Sequence, residues 1–252
     1  MPRTCLETWF FSNPKTPSKV KESYEEVWKS GGVQEATVNI IHQEEIFKTT
    51  TLVEKKIQCW RIAEELIKTQ PSTILEIGSG NGLMTISLSN MIPSHKFIGL
   101  ELTEEGCKQA RRNNEQNIIP EMSYCPEIDD LQKKEIRQPI RFLQGSAEHI
   151  PLEDKSIDVC FSVLALEQMN PIFWRVMDEI KRVTRHQILL LEPFPIFNKS
   201  LLRQAYTSSR AYLAQDHKML EKNGFKFVRP PELIPSKDYR GCGLIQATVS
   251  RD

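Results

Sequence analysis

Five residues concentrate the chemistry of this chain: Glu76, Gly78, Gly80, Gly82 and Glu101. The apolar segment Thr73-Ile74-Leu75-Glu76-Ile77 ends in a carboxylate and breaks into Gly78-Ser79-Gly80-Asn81-Gly82, with glycine at every second position. Glycine tolerates strained turns and has no side chain to keep a ligand away from the backbone. A second strand-like segment, Lys96-Phe97-Ile98-Gly99-Leu100-Glu101, also ends in an acid. Two adjacent strands, a glycine loop and a terminal acid describe a nucleoside pocket at the carboxyl edge of an α/β sheet.

The spacing discriminates between ligands. A dinucleotide loop reads G-x-G-x-x-G and grips a pyrophosphate. Its third glycine would fall at Leu83 here, and the observed pattern is E-x-G-x-G-x-G. A P-loop needs Gly-Lys-Ser/Thr, whereas this chain reads Gly82-Leu83-Met84. No Lys or Arg lies between Glu76 and Asn90 to neutralise phosphates. An adenosine without phosphates, carrying positive charge, fits this composition. S-adenosylmethionine is such a molecule.

With these motifs in place, the chain resembles the class I S-adenosylmethionine-dependent methyltransferases, in particular the small-molecule group related to ubiquinone-biosynthesis methyltransferases. The resemblance rests on Leu75–Gly82, Phe97–Glu101, Gly145-Ser146-Ala147-Glu148-His149-Ile150-Pro151-Leu152 and Ser156-Ile157-Asp158-Val159-Cys160-Phe161-Ser162, in order, within residues 70–195. It implies that Gly78, Ser79, Gly80 and Gly82 pass under the methionine part of the cofactor and that Glu76 holds its ammonium, directly or through water. It implies that Glu101 takes both ribose hydroxyls, Leu102 lies on the adenine face, and Ser146, Ala147 and Glu148 read the adenine edge. Family members often have Asp where Ser146 stands. Ser162 is expected near the methionine moiety. Many relatives place a histidine just after the fourth strand; this chain has Glu167 and Gln168, so Glu167 is the candidate base. The Asn/Asp-Pro-Pro-Tyr signature of base and glutamine methyltransferases is missing; Glu192-Pro193-Phe194-Pro195 follows the fifth strand instead. Tyr24, Trp28, Tyr206 and Tyr212 are candidates to roof an acceptor pocket.

These residues need a scaffold. Strands are expected at about 73–78, 96–101, 140–145, 157–163, 186–192, 224–229 and 243–250. Helices are expected near 82–91, 103–117, 171–184 and 198–222, after a helix over about 53–69. Alternating strands and helices imply a parallel sheet with helices on both faces. The resemblance implies a Rossmann-like seven-stranded, mostly parallel sheet whose last strand is antiparallel. Asn170-Pro171 reads as a helix start, and Asn223-Gly224 as a helix end. Residues 1–70 read as a tail and helical lid segment, with a short helix at Tyr24–Lys29 stopped by Gly31-Gly32. Residues 71–252 read as the cofactor-binding domain, and Asn113–Pro139 as an insertion.

The chain has 252 residues, 26% of them charged, with formal net charge zero. That composition argues against a protein that holds nucleic acid by electrostatics alone. Six scattered cysteines show no metal-ligand spacing, so no metal site is expected. No apolar run approaches the ~20 residues of a membrane helix, and no signal-peptide pattern opens the chain. A cytoplasmic protein without membrane partners is expected. The combined reading is methyl transfer to an oxygen, nitrogen or carbon of a small molecule. The alternatives are an RNA or protein methyltransferase, favoured by Lys15–Lys21 and by Lys181, Arg182 and Arg185, and a cofactor-binding protein without turnover. The glycine spacing and Ser146-Ala147-Glu148 oppose a nicotinamide oxidoreductase. Neither the acceptor nor the oligomeric state is encoded in a motif.

Overall fold

The computed structural model describes residues 16–30, 35–42, 44–116, 118, 120 and 138–249. Most of the expected insertion, the extreme tail and the Gly31-Gly32 stop lie outside these residues. Eleven strands are described. They are β1 (Thr37–His42), β2 (Glu45–Thr50), β3 (Thr73–Ile77), β4 (Lys96–Glu101), β5 (Arg141–Gln144), β6 (Ile157–Val163), β7 (Thr184–Glu192), β8 (Phe225–Phe227), β9 (Glu232–Leu233), β10 (Ser236–Lys237) and β11 (Gly243–Val249). The α-helices are α1 (Pro17–Lys29), α2 (Thr51–Thr69), α3 (Leu83–Met91), α4 (Glu104–Glu115), α5 (Phe173–Val183), α6 (Leu201–Ser209) and α7 (Met219–Lys222).

The main sheet runs β5-β4-β3-β6-β7-β11-β8, with two-residue β9 also paired to β11. Strands β3 to β7 pair in parallel. Strand β11 is antiparallel to both β7 and β8. The chain order reverses between β3 and β6, and ligands bind at the carboxyl ends of strands beside such a switch point.

Alternation along the central strands feeds two cores. Leu75, Ile77, Cys160, Ile188 and Leu190 face α5, whose Phe173, Val176, Met177, Ile180 and Val183 form one buried stripe. Ile74, Phe97, Val159, Phe161, Leu189 and Leu191 face the opposite layer with Cys59, Ile62, Ala63 and Leu66 of α2. A parallel sheet covered on both faces requires such near-continuous apolar strands.

Two expectations are corrected, and one element is new. The single helix over 198–222 is two: α6 ends at Ser209, Ala211 has φ +52°, and α7 begins at Met219. Thr207 and Ser209 donate to carbonyls of the preceding turn, and Ala211 takes the left-handed conformation that stops a helix. Asn170 does not cap the helix after it; its side chain accepts from the Ala214 backbone N–H at 3.3 Å, and a 3₁₀ turn at Asn170–Ile172 precedes α5. The hairpin β1–β2, joined by β10 into a separate three-stranded sheet, was not expected. Its turn has Glu44 at φ +69° rather than glycine, so the usual hairpin signal is missing.

Candidate active site

The loop after β3 is pinned to the end of β4: the N–H groups of Gly78 and Ser79 both donate to Leu100 O, at 2.8 and 3.0 Å. Gly78, Gly80 and Gly82 all have positive φ. At Gly80, φ is +53° and a Cβ would stand 2.7 Å from the ring of Trp28. At Gly78 a Cβ would stand 2.5 Å from the Cβ of Ala165, which follows the end of β6. The glycines therefore let two other segments close on the loop.

Glu101, at the end of β4, organises the site. One carboxylate oxygen accepts from the Gly80 N–H at 2.9 Å. The other accepts from the N–H of Thr103 at 2.9 Å and from its hydroxyl at 2.5 Å. A carboxylate offers about four acceptor positions, so three are filled by the protein.

Helix α1 roofs the cleft. Val20, Tyr24 and Trp28, spaced by four, present one face to it. The helix is fixed to α4 by Glu25, whose carboxylate accepts from the backbone N–H groups of Glu104 and Glu105 at 2.8 and 3.1 Å. Those N–H groups open α4 and have no partner within the helix, so an acid there is favourable. The cleft is further lined by Leu100, Leu102, Gly145, Ala147, Ala165 and Met169. Ser146 lines a smaller hollow that shares Leu102 and Ala147 with it. No Lys, Arg or His lines the cleft among the described residues.

The far wall is the elbow after β6. Leu164 has φ +53°, which bends the chain across the cleft floor. Glu192 at the end of β7 is fully buried and accepts from the Ser162 hydroxyl and from the N–H groups of Ala165, Leu166 and Glu167. Burial, with Glu167 nearby, pushes its carboxyl up to about 7. Sequence reading noted Glu192 only as the start of Glu192-Pro193-Phe194-Pro195 and gave it no role; its signal is an acid closing the apolar run Ile188–Leu191.

The expected site residues divide. Gly78, Gly80, Glu101, Leu102, Ala147 and Ser146 meet at the cleft or its adjoining hollow. Glu76 does not line it. Its carboxyl accepts from the Thr85 hydroxyl beneath α3, and burial pushes it up to about 8. Ser162 likewise lies below the floor, donating to Glu192. Gly82 packs on Phe142 and Ala110, and Ser79 lays its buried hydroxyl against Gly99. Glu148 pairs with Arg175 at 3.1 Å instead of lining the cleft.

Glu167 is not a free base. Arg240 donates to both its oxygens at 3.0 Å, and both side chains are buried. Burial pushes the Glu167 carboxyl up, while Arg240 opposes that shift. Arg240 also approaches Glu54, which pairs with Lys237 at 3.2 Å. Tyr206 and Tyr239 meet with centroids 4.7 Å apart, Tyr206 and Tyr212 at 6.1 Å, and the Arg240 guanidinium lies 5.9 Å from the Tyr212 ring. Burial, then Glu167, pushes the Tyr24 phenol up to about 12, keeping it a hydrogen-bond donor. Arg182 is held by Glu179 and Asp154, and Arg185 by Asp158. Acids thus neutralise two residues of the expected basic cluster. Among the described residues no group of three or more His, Cys, Asp or Glu could hold a metal, and no helix is long and apolar enough to cross a membrane.

Comparison with known proteins agrees with this geometry. Residues 75–191 match the family described as a methyltransferase domain. The malonyl-[acyl-carrier protein] O-methyltransferase of Nitrosospira multiformis is 26% identical over 149 residues, covering 59% of this chain and 47% of that protein. A phthiotriol/phenolphthiotriol dimycocerosates methyltransferase of Mycobacterium ulcerans is 29% identical over 112 residues, 44% of this chain and 33% of that protein. The chain thus spans half or less of these relatives' lengths. Among solved structures, magnesium protoporphyrin IX methyltransferase from Synechocystis PCC 6803 with bound SAH superposes with TM-score 0.61 at 13% identity, over 93% of this chain and 100% of that one. The [4+2]-cyclase SpnF superposes with TM-score 0.68 at 14% identity, over 96% and 99%. At such identities the superpositions establish the fold.

Proposed function

We propose that the chain moves the methyl group of S-adenosylmethionine to a small-molecule acceptor, a reading supported by the match of residues 75–191 to the methyltransferase-domain family and by the parallel sheet that carries them. The observation that carries this reading is the cleft's donor set: glycine backbone at Gly78 and Gly80, one acid at Glu101, and no cationic side chain. Such a lining suits a nucleoside with a positively charged tail and has no side-chain cation to pair with a diphosphate. The residues present fit the cofactor.

When bound, S-adenosylmethionine supplies an electrophilic sulfonium methyl group. Glu101 has one acceptor position left for a ribose hydroxyl; taking both hydroxyls requires Thr103 or Gly80 to yield its bond. Leu102, Ser146 and Ala147 form the adenine end. Val20, Tyr24 and Trp28 of α1 exclude water from the cleft. With Glu167 bound by Arg240, placement of the acceptor does most of the catalysis. Orientation alone can contribute on the order of 7–11 kcal/mol. The relatives named for a malonyl carrier and for phthiotriol lipids support a small or carrier-borne acceptor. Among the described residues, four cysteines are free and buried, which supports a reducing, cytoplasmic setting.

Calorimetry with S-adenosylmethionine, S-adenosylhomocysteine and NADH tests the cofactor; selective binding of the first two is expected. Binding of NADH alone would overturn the reading. A second reading, cofactor binding without turnover, draws on the paired state of Glu167. It predicts no S-adenosylhomocysteine from any acceptor mixture.

A further inference from the structure

Helix α6 has no buried residue, an anomaly in a chain whose other long helices each bury at least one. Leu201 and Leu202 at its start are each 84% exposed, the most exposed large apolar side chains among the described residues. Ala205 and Ser208, one and two turns on from Leu201, continue the outward face without a charge. The helix is well built: Ser200 caps it by accepting from the Arg203 N–H. Arg203 holds it to the body by donating to Asp238 O and Phe197 O. The exposed leucines are thus presented by a fixed element.

Along α6 and its flanks basic residues outnumber acids. Lys199, Arg203, Arg210 and Lys218 face a single acid, Asp216, across residues 199–218, in a chain that is neutral overall. Arg203 bonds to two backbone carbonyls, those of Asp238 and Phe197. Apolar side chains projecting from a helix flanked by cations match the interfacial region of an anionic bilayer, where apolar burial and attraction to acidic headgroups add. A protein groove would need a longer apolar stripe at helical spacing than two adjacent leucines provide.

We propose that α6 docks on an anionic lipid surface through Leu201 and Leu202, with Lys199 at the headgroups and no segment crossing the membrane. Tyr206, on the same helix, belongs to the tyrosine group beside Arg240.

The test is sedimentation of the full chain with vesicles of phosphatidylcholine alone and of phosphatidylcholine mixed with phosphatidylglycerol, needing no turnover. Preferential binding to the mixed vesicles, weakened by salt, is expected. Leu201→Ser with Leu202→Ser should lower partitioning roughly tenfold or more, and Lys199→Gln roughly fivefold. Because these side chains pack on nothing, circular dichroism and the melting temperature should not change. Equal binding to both vesicle types, no binding, or undiminished binding by the double variant would overturn the proposal. Retention by a protein partner without vesicle binding would overturn it too. None of these results bears on cofactor affinity, which tests the proposed methyl transfer separately.

Discussion

Replacing Gly80 by alanine tests whether α1 and the glycine loop form one cofactor-binding unit. Two penalties arise. At φ +53° a non-glycine residue pays for the left-handed conformation, about 1–2 kcal/mol. The new Cβ would also stand 2.7 Å from Trp28 Cζ2 and 3.0 Å from Cη2. Trp28 is only 8% exposed and cannot swing freely, so overpacking adds about 1–3 kcal/mol. The total, about 2–5 kcal/mol, should lower the melting temperature by roughly 2–4 °C per kcal/mol in a chain of this size. Any share that falls on the cofactor-bound state weakens binding tenfold per 1.4 kcal/mol. A double-mutant cycle separates the penalties. In a Trp28→Ala background the conformational cost remains and the clash disappears, leaving a coupling of about 1–3 kcal/mol. Denaturant unfolding and calorimetric titration with S-adenosylhomocysteine read both quantities. Additivity within about 0.5 kcal/mol would refute the idea that Trp28 closes on the loop.

Other variants probe the acids. Glu101→Gln replaces an acceptor with an N–H facing the donors of Gly80 or Thr103; calorimetry should show at least tenfold weaker cofactor binding, since an unsatisfied buried donor costs about 1–3 kcal/mol. Arg240→Met should destabilise by about 3–5 kcal/mol in urea unfolding by stranding Glu167, and adding Glu167→Gln should restore much of the loss. A loss below about 1 kcal/mol for Arg240→Met would mean that the pair does not hold this region. Glu76 titrates near 8 when folded against 4.5 for the ordinary carboxyl. Between those values the folded state holds the extra proton, so this group's contribution to stability falls as pH rises, by about 1.4 kcal/mol per pH unit at most. Glu76→Gln should remove that fall and gain stability over wild type toward pH 8; melting curves from pH 5 to 9 would show it, and parallel profiles would count against it.

The central strands and the glycine loop could be read from the chain because their signals are local. Ile157–Val163 and Lys96–Glu101 match the observed β6 and β4, since strands covered on both faces need uninterrupted apolar runs. The β1–β2 hairpin escaped because Glu44 replaces the usual glycine, and the break after Ser209 escaped because Ala211 is an ordinary helix former in sequence. Glu76 and Ser162 sit in the motifs at the expected places, yet Glu76 faces α3 and Ser162 hydrogen-bonds to Glu192 beneath the cleft. Side-chain direction at a strand end depends on the partner that accepts or donates the bond, and those partners, Thr85 and Glu192, lie 9 and 30 positions away.

By itself the sequence determined the sheet, the glycine turn and the acid at Glu101, because strand periodicity and backbone freedom act over a few residues. Tertiary structure alone decided which acids remain available. It paired Glu167 with Arg240 across 73 positions, filled three acceptor sites of Glu101, and laid α1 over the cleft. Such pairings depend on which distant groups share a dry space once the cores have closed, where an unpaired charge is too costly to persist.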